Sequence, residues 1–220
     1  MTQPADPKWQ ARLSRHGLDL LANRAAAHGL ALRPSRFIFL RHGETAGNHE
    51  RIFQHPEIAL NDTGVAQAQR AGAALAGCGA RRIVSSTVRR AWQTAEIVGG
   101  HLGVAARGSD GLRERFFGDL IGTSSANLDW AIDPPNGETL DGFIARSQAG
   151  LAAALDSDEP TLLVSHGGVL YVLGYSIGLA VDDVMIRNAT PLLFTRGASG
   201  WQVERIGTDD GAVRGGNIGW

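Results

Sequence analysis

The sequence contains a single cysteine, Cys78, among 220 residues, and it has no excess of charge of either sign. One cysteine cannot close a disulfide within the chain, which favours a reducing compartment. The 21 basic and 22 acidic side chains leave a formal net charge of −1. Proteins that bind nucleic acids usually carry a clear basic excess, so we expect no nucleic-acid partner.

Long apolar runs are also missing. The longest, residues 167–181, contains four glycines and is shorter than the roughly 20 residues that a membrane-spanning helix needs. It is predicted to form a buried helix. The chain opens with the polar segment MTQPADPKWQ rather than with a charged and then apolar signal segment. We therefore expect no membrane contact and a cytoplasmic location.

The length favours a single main domain. Ahead of it, residues 8–30 show helical spacing of large apolar side chains, at Trp9, Leu13, Leu20 and Leu21. We expect this helical extension to pack on the domain, and a contact in a homodimer is the open alternative. The predicted organisation is an N-terminal helical extension, a main domain and a C-terminal tail, at residues 1–34, 35–208 and 209–220.

Strand-like and helix-like segments alternate along the main domain. The sequence predicts strands at 36–40, 81–86, 161–166, 190–195 and 200–207, and helices at 60–79, 88–102, 138–155 and 167–179. Such alternation is typical of a parallel sheet that is covered on both faces. The predicted fold class is α/β, a three-layer sandwich with a mostly parallel central sheet flanked by helices.

Charged and titratable side chains follow three of the predicted strands. They occur in the segments RHGE (41–44), SSTVRR (85–90) and SHGG (165–168). Histidines and arginines that converge on one sheet edge would repel one another unless an anion lay between them. Arginine's planar fork suits phosphate oxygens, and backbone N–H groups at a helix start attract anions. A phosphate site is therefore predicted at this edge.

These segments resemble the histidine phosphatase superfamily, also called phosphoglycerate mutase-like. RHGETAGN is similar to the family's signature loop, and SSTVRRAWQTAEI is similar to its second arginine segment. LRERFFGDLIG resembles its acid-bearing segment, NGETLDGF a family linker, and VSHGG the segment with its second histidine. The five motifs occur in the family's order over residues 36–206, which is far more specific than any one of them.

The resemblance implies a role for each residue that matches a motif. His42 would be the nucleophile that becomes phosphohistidine, and nearby arginines would keep its ring neutral. Arg41 and Arg90 would bind phosphate oxygens, and His166 would stabilise the charge on the phosphoryl group in the transition state. Glu114 would act as general acid and then as general base. The arginines and histidines supply the positive charge, so no metal and no cofactor are expected.

Further residues are predicted to bind phosphate or substrate. Asn48 would add a neutral donor, Gln54 fits the family pattern, and the backbone N–H of Gly167 would face the anion. His55 stands where the family has glycine, so it is either a substrate contact or an exposed loop histidine without a role. Arg89 is expected to point away from the site.

The balance of basic and acidic residues after the acid-bearing segment helps to distinguish a mutase from a hydrolase. Family mutases carry extra basic residues after the acid segment, whereas residues 116–160 hold only Arg146 against eight acids. This favours a metal-independent phosphomonoester hydrolase, a histidine acid-type phosphatase, acting on a small phosphorylated metabolite. Because LRERFFG is mutase-like, a phosphoglycerate mutase-type phosphotransferase remains an alternative, as do a non-catalytic phospho-ligand binder and a metallohydrolase. Phe116, Phe117 and Trp130 are candidates for an apolar pocket, although core packing is their commoner use.

Overall fold

The computed structural model describes residues 7–207, with side chains from residue 16 onward. It contains six strands: β1 (Arg36–Arg41), β2 (Arg82–Ser86), β3 (Ala106–Ser109), β4 (Thr161–Ser165), β5 (Pro191–Gly197) and β6 (Gly200–Arg205). Its α-helices are α1 (Pro7–His28), α2 (Ala46–Glu50), α3 (Asp62–Leu75), α4 (Arg89–Leu102), α5 (Leu140–Ala154) and α6 (Gly167–Ser176). The predicted C-terminal tail, 209–220, lies outside the described residues.

The six strands form one sheet in the order β3-β2-β4-β1-β5-β6. The four strands β3, β2, β4 and β1 pair in parallel, β5 is antiparallel to β1, and β6 is antiparallel to β5. The sheet is therefore mostly parallel, as predicted. In β1, Phe37 and Phe39 belong to the apolar layer on one face, and Ile38 and Leu40 belong to the layer on the other. This alternation explains why the whole strand is apolar.

Helices cover both faces of the sheet. Helices α1, α5 and α6 contribute to the layer with Phe37 and Phe39, and α3 and α4 contribute to the other layer. Leu21 and Ala25 of α1 are fully buried, and Leu20 packs against them, so this helix lies against the domain. The side chains of Trp9 and Leu13 lie outside the described part of α1.

Sequence patterns did not predict β3 and α2. The strand β3 lies at the sheet edge and has the sequence ARGS, in which neither face carries a run of buried apolar side chains. Helix α2 has only five residues, too few for apolar periodicity. It is held by a capping box in which Thr45 and Asn48 each bond the other's backbone N–H.

Candidate active site

Two neighbouring strands bring the two motif histidines together. Arg41 at the end of β1 is paired in register with Ser165 at the end of β4, so His42 and His166 follow adjacent strands. The N–H of His42 donates to the carbonyl of Ser165 at 2.9 Å. The ring centroids of His42 and His166 are 5.1 Å apart, and both residues are buried. The carboxyl edge of the sheet therefore holds a compact pair of imidazoles.

The hydrogen bonds of His42 fix which nitrogen carries its proton. Nδ1 lies 2.7 Å from the carbonyl oxygen of Gly43, and a carbonyl can only accept, so Nδ1 carries the hydrogen. Nε2 then carries a lone pair, which accepts the hydrogen bond from Arg90 Nε–H at 3.2 Å. Burial, together with the charges of Arg90 and Arg41, holds the pKa of His42 well below its usual range. The ring is therefore neutral at neutral pH and exposes a nucleophilic nitrogen.

Three residues of the site have buried polar atoms without a partner. Among the buried side-chain atoms without a hydrogen-bond partner in the described chain are Arg41 Nε, Arg90 Nη1 and His166 Nδ1. Burial lowers the pKa of Arg41, and it lowers that of Arg90 to about 10. Buried donors of this kind are costly unless a partner satisfies them, and an anion is the partner that suits two guanidinium groups.

The second histidine has its own fixed contact. His166 Nε2 lies 2.8 Å from the hydroxyl of Ser86, and this hydroxyl accepts from the N–H of Val88 at 3.2 Å. Burial, followed by the charge of Arg90, places the pKa of His166 well below its usual range. His166 is the N-cap residue of α6, directly before Gly167, so it precedes the positive end of that helix.

Glu114 contacts the start of α6. Its Oε2 accepts from the N–H of Gly168 at 3.0 Å, and its Oε1 accepts from the N–H of Arg115 at 3.1 Å. A Cβ at Gly168 would collide with this carboxylate, which explains the glycine there. Gly167 lies next to Arg41, whose Nε would be 3.7 Å from a Cβ at that position. The start of α6 therefore links the carboxylate to the arginines.

Two further arginines hold the segment that carries Glu114. Arg146 makes a two-point ion pair with Glu138 through bonds of 2.8 Å each, and its Nη1 donates to the carbonyls of Asp110, Gly111 and Arg113. Arg115, whose side chain is 0% exposed, donates to Asp133 at 2.7 Å and to the carbonyls of Trp130, Ile132 and Glu138. Sequence reasoning missed these roles, because the backbone carbonyls that accept lie 15 to 36 residues away.

A cavity of about 570 Å³ opens beside these groups. Its lining includes Arg90 and Glu114, together with Gln54, Phe116 and Phe117. Trp130 is not among its lining residues; it is buried in the core, where it packs on Phe143 at a centroid distance of 5.9 Å. The cavity thus gives a substrate access to both the acid and one arginine.

The remaining predicted residues divide into two groups. Asn48 accepts from Asn188 Nδ2–H at 3.3 Å, and Asn188 also donates to the carbonyl of His42 at 2.9 Å, so Asn48 is linked to the site. Gln54 lies 2.6 Å from the hydroxyl of Thr45 and reaches the cavity. His55 is exposed, accepts from the N–H of Glu57 at 3.3 Å, and is not among the lining residues of the cavity.

The two arginines of the second motif separate as expected. Arg90 is 6% exposed and contacts His42, whereas Arg89 is exposed on the same helix, α4.

Within residues 7–207, no group of three or more His, Cys, Asp and Glu side chains is arranged to hold a metal ion. In the same part of the chain, none of the helices has the length and apolar character needed to cross a membrane.

A family model described as the histidine phosphatase superfamily (branch 1) matches residues 37–209. The chain belongs to the histidine phosphatase superfamily. A glucosyl-3-phosphoglycerate phosphatase of Mycobacterium tuberculosis is 31% identical over 170 residues, which cover 66% of this chain and 76% of that protein. A 2,3-bisphosphoglycerate-dependent phosphoglycerate mutase of Azorhizobium caulinodans is 30% identical over 190 residues, or 73% of this chain and 92% of the mutase.

One further relative is matched over less than half of its own length, and another is a solved structure. Agropine synthesis reductase of Rhizobium rhizogenes is 35% identical over 180 residues, but these cover 76% of this histidine phosphatase chain and only 41% of the reductase. The native structure of mycobacterial glucosyl-3-phosphoglycerate phosphatase superposes with a TM-score of 0.63 at 26% identity, covering 80% and 99% of the two chains. Phosphatases are thus prominent among these relatives, which supports hydrolysis as the reaction class.

Proposed function

We propose that the protein is a metal-independent phosphomonoester hydrolase, a histidine acid-type phosphatase, that acts through a phosphohistidine at His42 on a small phosphorylated metabolite. The observation that carries the proposal is the neutral Nε2 of His42 beside three unpartnered buried atoms, Arg41 Nε, Arg90 Nη1 and His166 Nδ1. This arrangement combines a nucleophile with donors placed where phosphoryl oxygens would lie. A cytoplasmic location is part of the proposal as an expectation, and a homodimer stays an open alternative.

In the first step, Nε2 of His42 forms a bond to phosphorus while the bond from phosphorus to the ester oxygen breaks. Arg41, Arg90 and His166 bind the phosphoryl oxygens as their charge changes in the transition state. A Ser86 hydroxyl that accepts from Val88 is free to donate to His166 Nε2, which would leave the hydrogen on Nδ1 for the phosphoryl group. Glu114, in its acid form, gives its proton to the leaving alkoxide.

In the second step, water attacks the phosphohistidine. The Glu114 carboxylate takes a proton from that water, the new P–O bond forms, and the P–N bond to His42 breaks. The products are inorganic phosphate and the regenerated neutral imidazole. The bonds from the N–H groups of Gly168 and Arg115 support this role, because they fix the carboxylate of a residue that lines the cavity.

The basic side chains near Glu114 favour hydrolysis over mutase chemistry, because most of their donors already have partners within the protein. A mutase must rebind a phosphorylated intermediate with a second anionic group, and this requires free cations in the cavity. Arg115 and Arg146 instead donate to backbone carbonyls and to Asp133 and Glu138. The mutase among the relatives makes phosphotransfer the alternative that the experiment should test directly.

The test is release of inorganic phosphate from 4-nitrophenyl phosphate in the presence of EDTA. We expect chelator-resistant turnover in the wild type, none in His42→Ala, and unchanged turnover in His28→Ala, whose histidine is exposed at the end of α1. Rapid quenching at high pH should trap a phosphoenzyme that is stable to base and labile to acid. Full activity of His42→Ala would overturn the phosphohistidine mechanism, and loss of activity with EDTA would indicate a metallohydrolase.

A further inference from the structure

Part of the cavity lining is aromatic and apolar. Besides charged residues, the lining includes Pro56, Val88, Phe116 and Phe117. Phe116 is 45% exposed, whereas phenylalanine is among the residues most often buried. An exposed phenyl ring in the lining of a cavity marks a surface on which an apolar face of a ligand can be buried.

The backbone of Phe116 is fixed. Its N–H donates to Glu138 Oε2 at 3.3 Å, and its carbonyl accepts from the N–H of Glu138 at 2.8 Å. The neighbouring Phe117 packs against Phe53, with ring centroids 4.4 Å apart. A ring on a held backbone loses little conformational entropy when a ligand packs on it, so its contact contributes more to binding.

The charges in this part of the cavity are already compensated. Arg115 and Arg146 donate to carbonyls and carboxylates. Arg113 is 43% exposed at its side chain and lies 4.0 Å from Asp110, which is also part of the lining. A second anionic group on the substrate would therefore meet Asp110 and Glu138 as well as Arg113, with little net attraction.

We infer that the leaving group of the substrate is an uncharged, ring-bearing alcohol or phenol that packs against Phe116. This inference rests on the proposed function and extends it from phosphomonoesters in general to one class of them. Esters whose leaving group carries a carboxylate or a second phosphate are expected to be poor substrates. The phosphate itself would bind beside Arg90, which lines the same cavity as Phe116.

The contact with Phe116 is tested with two uncharged leaving groups of different apolar area. We expect Phe116→Ala to lower kcat/KM for 2-naphthyl phosphate by about three- to tenfold, and to change kcat/KM for ethyl phosphate by less than about twofold. Ile132→Ala is the matched control, because Ile132 is 60% exposed but is not in the cavity lining. An equal change for both esters, or no change for either, would overturn the inference.

The charge preference is tested in the wild type with 4-carboxyphenyl phosphate and its amide, 4-carbamoylphenyl phosphate. We expect the amide to be hydrolysed about tenfold faster at low substrate concentration, and Arg113→Gln to widen this difference, because it leaves Asp110 unopposed. A preference for the carboxylate that disappears in Arg113→Gln would contradict the inference.

Different results would contradict the phosphatase function and the leaving-group inference. Turnover of 4-nitrophenyl phosphate that is lost in His42→Ala, combined with rates that are insensitive to Phe116→Ala, would overturn the leaving-group inference alone. Hydrolysis of none of the five esters would overturn the proposed function, and the leaving-group inference with it.

Discussion

The site contains two pairs of arginines that differ in how they use their hydrogen-bond donors. Arg41, at the end of β1, and Arg90, in the first turn of α4, donate to the carbonyl of Ile186 and to His42, but each keeps a buried nitrogen without a partner in the described chain. Arg115 and Arg146, around Glu114, donate instead to carboxylates and to seven backbone carbonyls between residues 110 and 138. Arginine is thus placed as a ligand-binding group in one region, and it connects chain segments in the other. Substitution by methionine, which keeps length but removes the donors, should separate the two uses.

The largest effect is expected on catalysis, from Arg90→Met. This change removes a donor to the phosphoryl group and the bond to His42, so kcat/KM for an aryl phosphate should fall by about 10²- to 10³-fold. The free energy of unfolding, measured with urea, should be unchanged or higher, because an incompletely paired buried cation is lost.

Arg89→Met is the control for that experiment, because Arg89 precedes Arg90 on the same helix but is exposed. Activity and stability should both stay near wild-type values in this variant. Retained activity in Arg90→Met together with a clear loss of stability would mean that Arg90 belongs with the structural pair instead.

Arg115→Met should have the reverse profile. The carbonyls of Trp130, Ile132 and Glu138 would lose their donor, and Asp133 would lose its cation. We expect the free energy of unfolding to fall by about 3 kcal/mol, towards the lower end for a broken buried ion pair, because the Asp133 side chain is 53% exposed. Urea unfolding measures this, and Arg113→Met, at a half-exposed neighbouring site, should change it by less than about 0.5 kcal/mol. A stability of Arg115→Met equal to that of the control would contradict the assignment.

The sequence predicted the region around Arg41 and Arg90 far better than the region around Arg115 and Arg146. Strand ends are visible as apolar runs that stop at charged residues, so RHGE and SHGG could be placed at one sheet edge from the order of residues alone. The burial of Arg90 rather than Arg89 followed from the motif. Each of these features depends on residues that are close together in sequence or that follow neighbouring strands.

The region around Arg115 and Arg146 depends on contacts between segments that are distant in sequence. Arg146 was visible only as the one basic residue between 116 and 160, and its bonds to the carbonyls of residues 110 to 114 could not be inferred from its neighbours. Backbone carbonyls leave no trace in a sequence, because every residue has one. The edge strand β3 was missed for a related reason, since its pairing with β2 is made by the backbone and its side chains show no pattern.

The smallest effect concerns protonation at the phosphate end of the site. His42 and His166 are fully buried there, and burial and the charge of Arg90 hold the pKa of each ring well below the usual value of about 6.5. Below pH 6.5 the unfolded chain binds protons at these positions, whereas the folded chain does not. Stability should therefore fall as the pH decreases from 6.5 towards the lowered pKa values, by up to about 1.4 kcal/mol per pH unit for each histidine.

Urea unfolding at pH 7.5, 6.5 and 5.5 measures this dependence. In His166→Gln one of the two contributions is removed, so the loss of stability between pH 6.5 and 5.5 should be smaller by up to about 1 kcal/mol, because half of the unfolded-state rings are already protonated at pH 6.5. His28→Gln, which changes an exposed histidine, should follow the wild-type curve. A pH dependence in His166→Gln as steep as in the wild type would show that the ring is already protonated in the folded protein, and so that the arginines at this end do not keep it neutral.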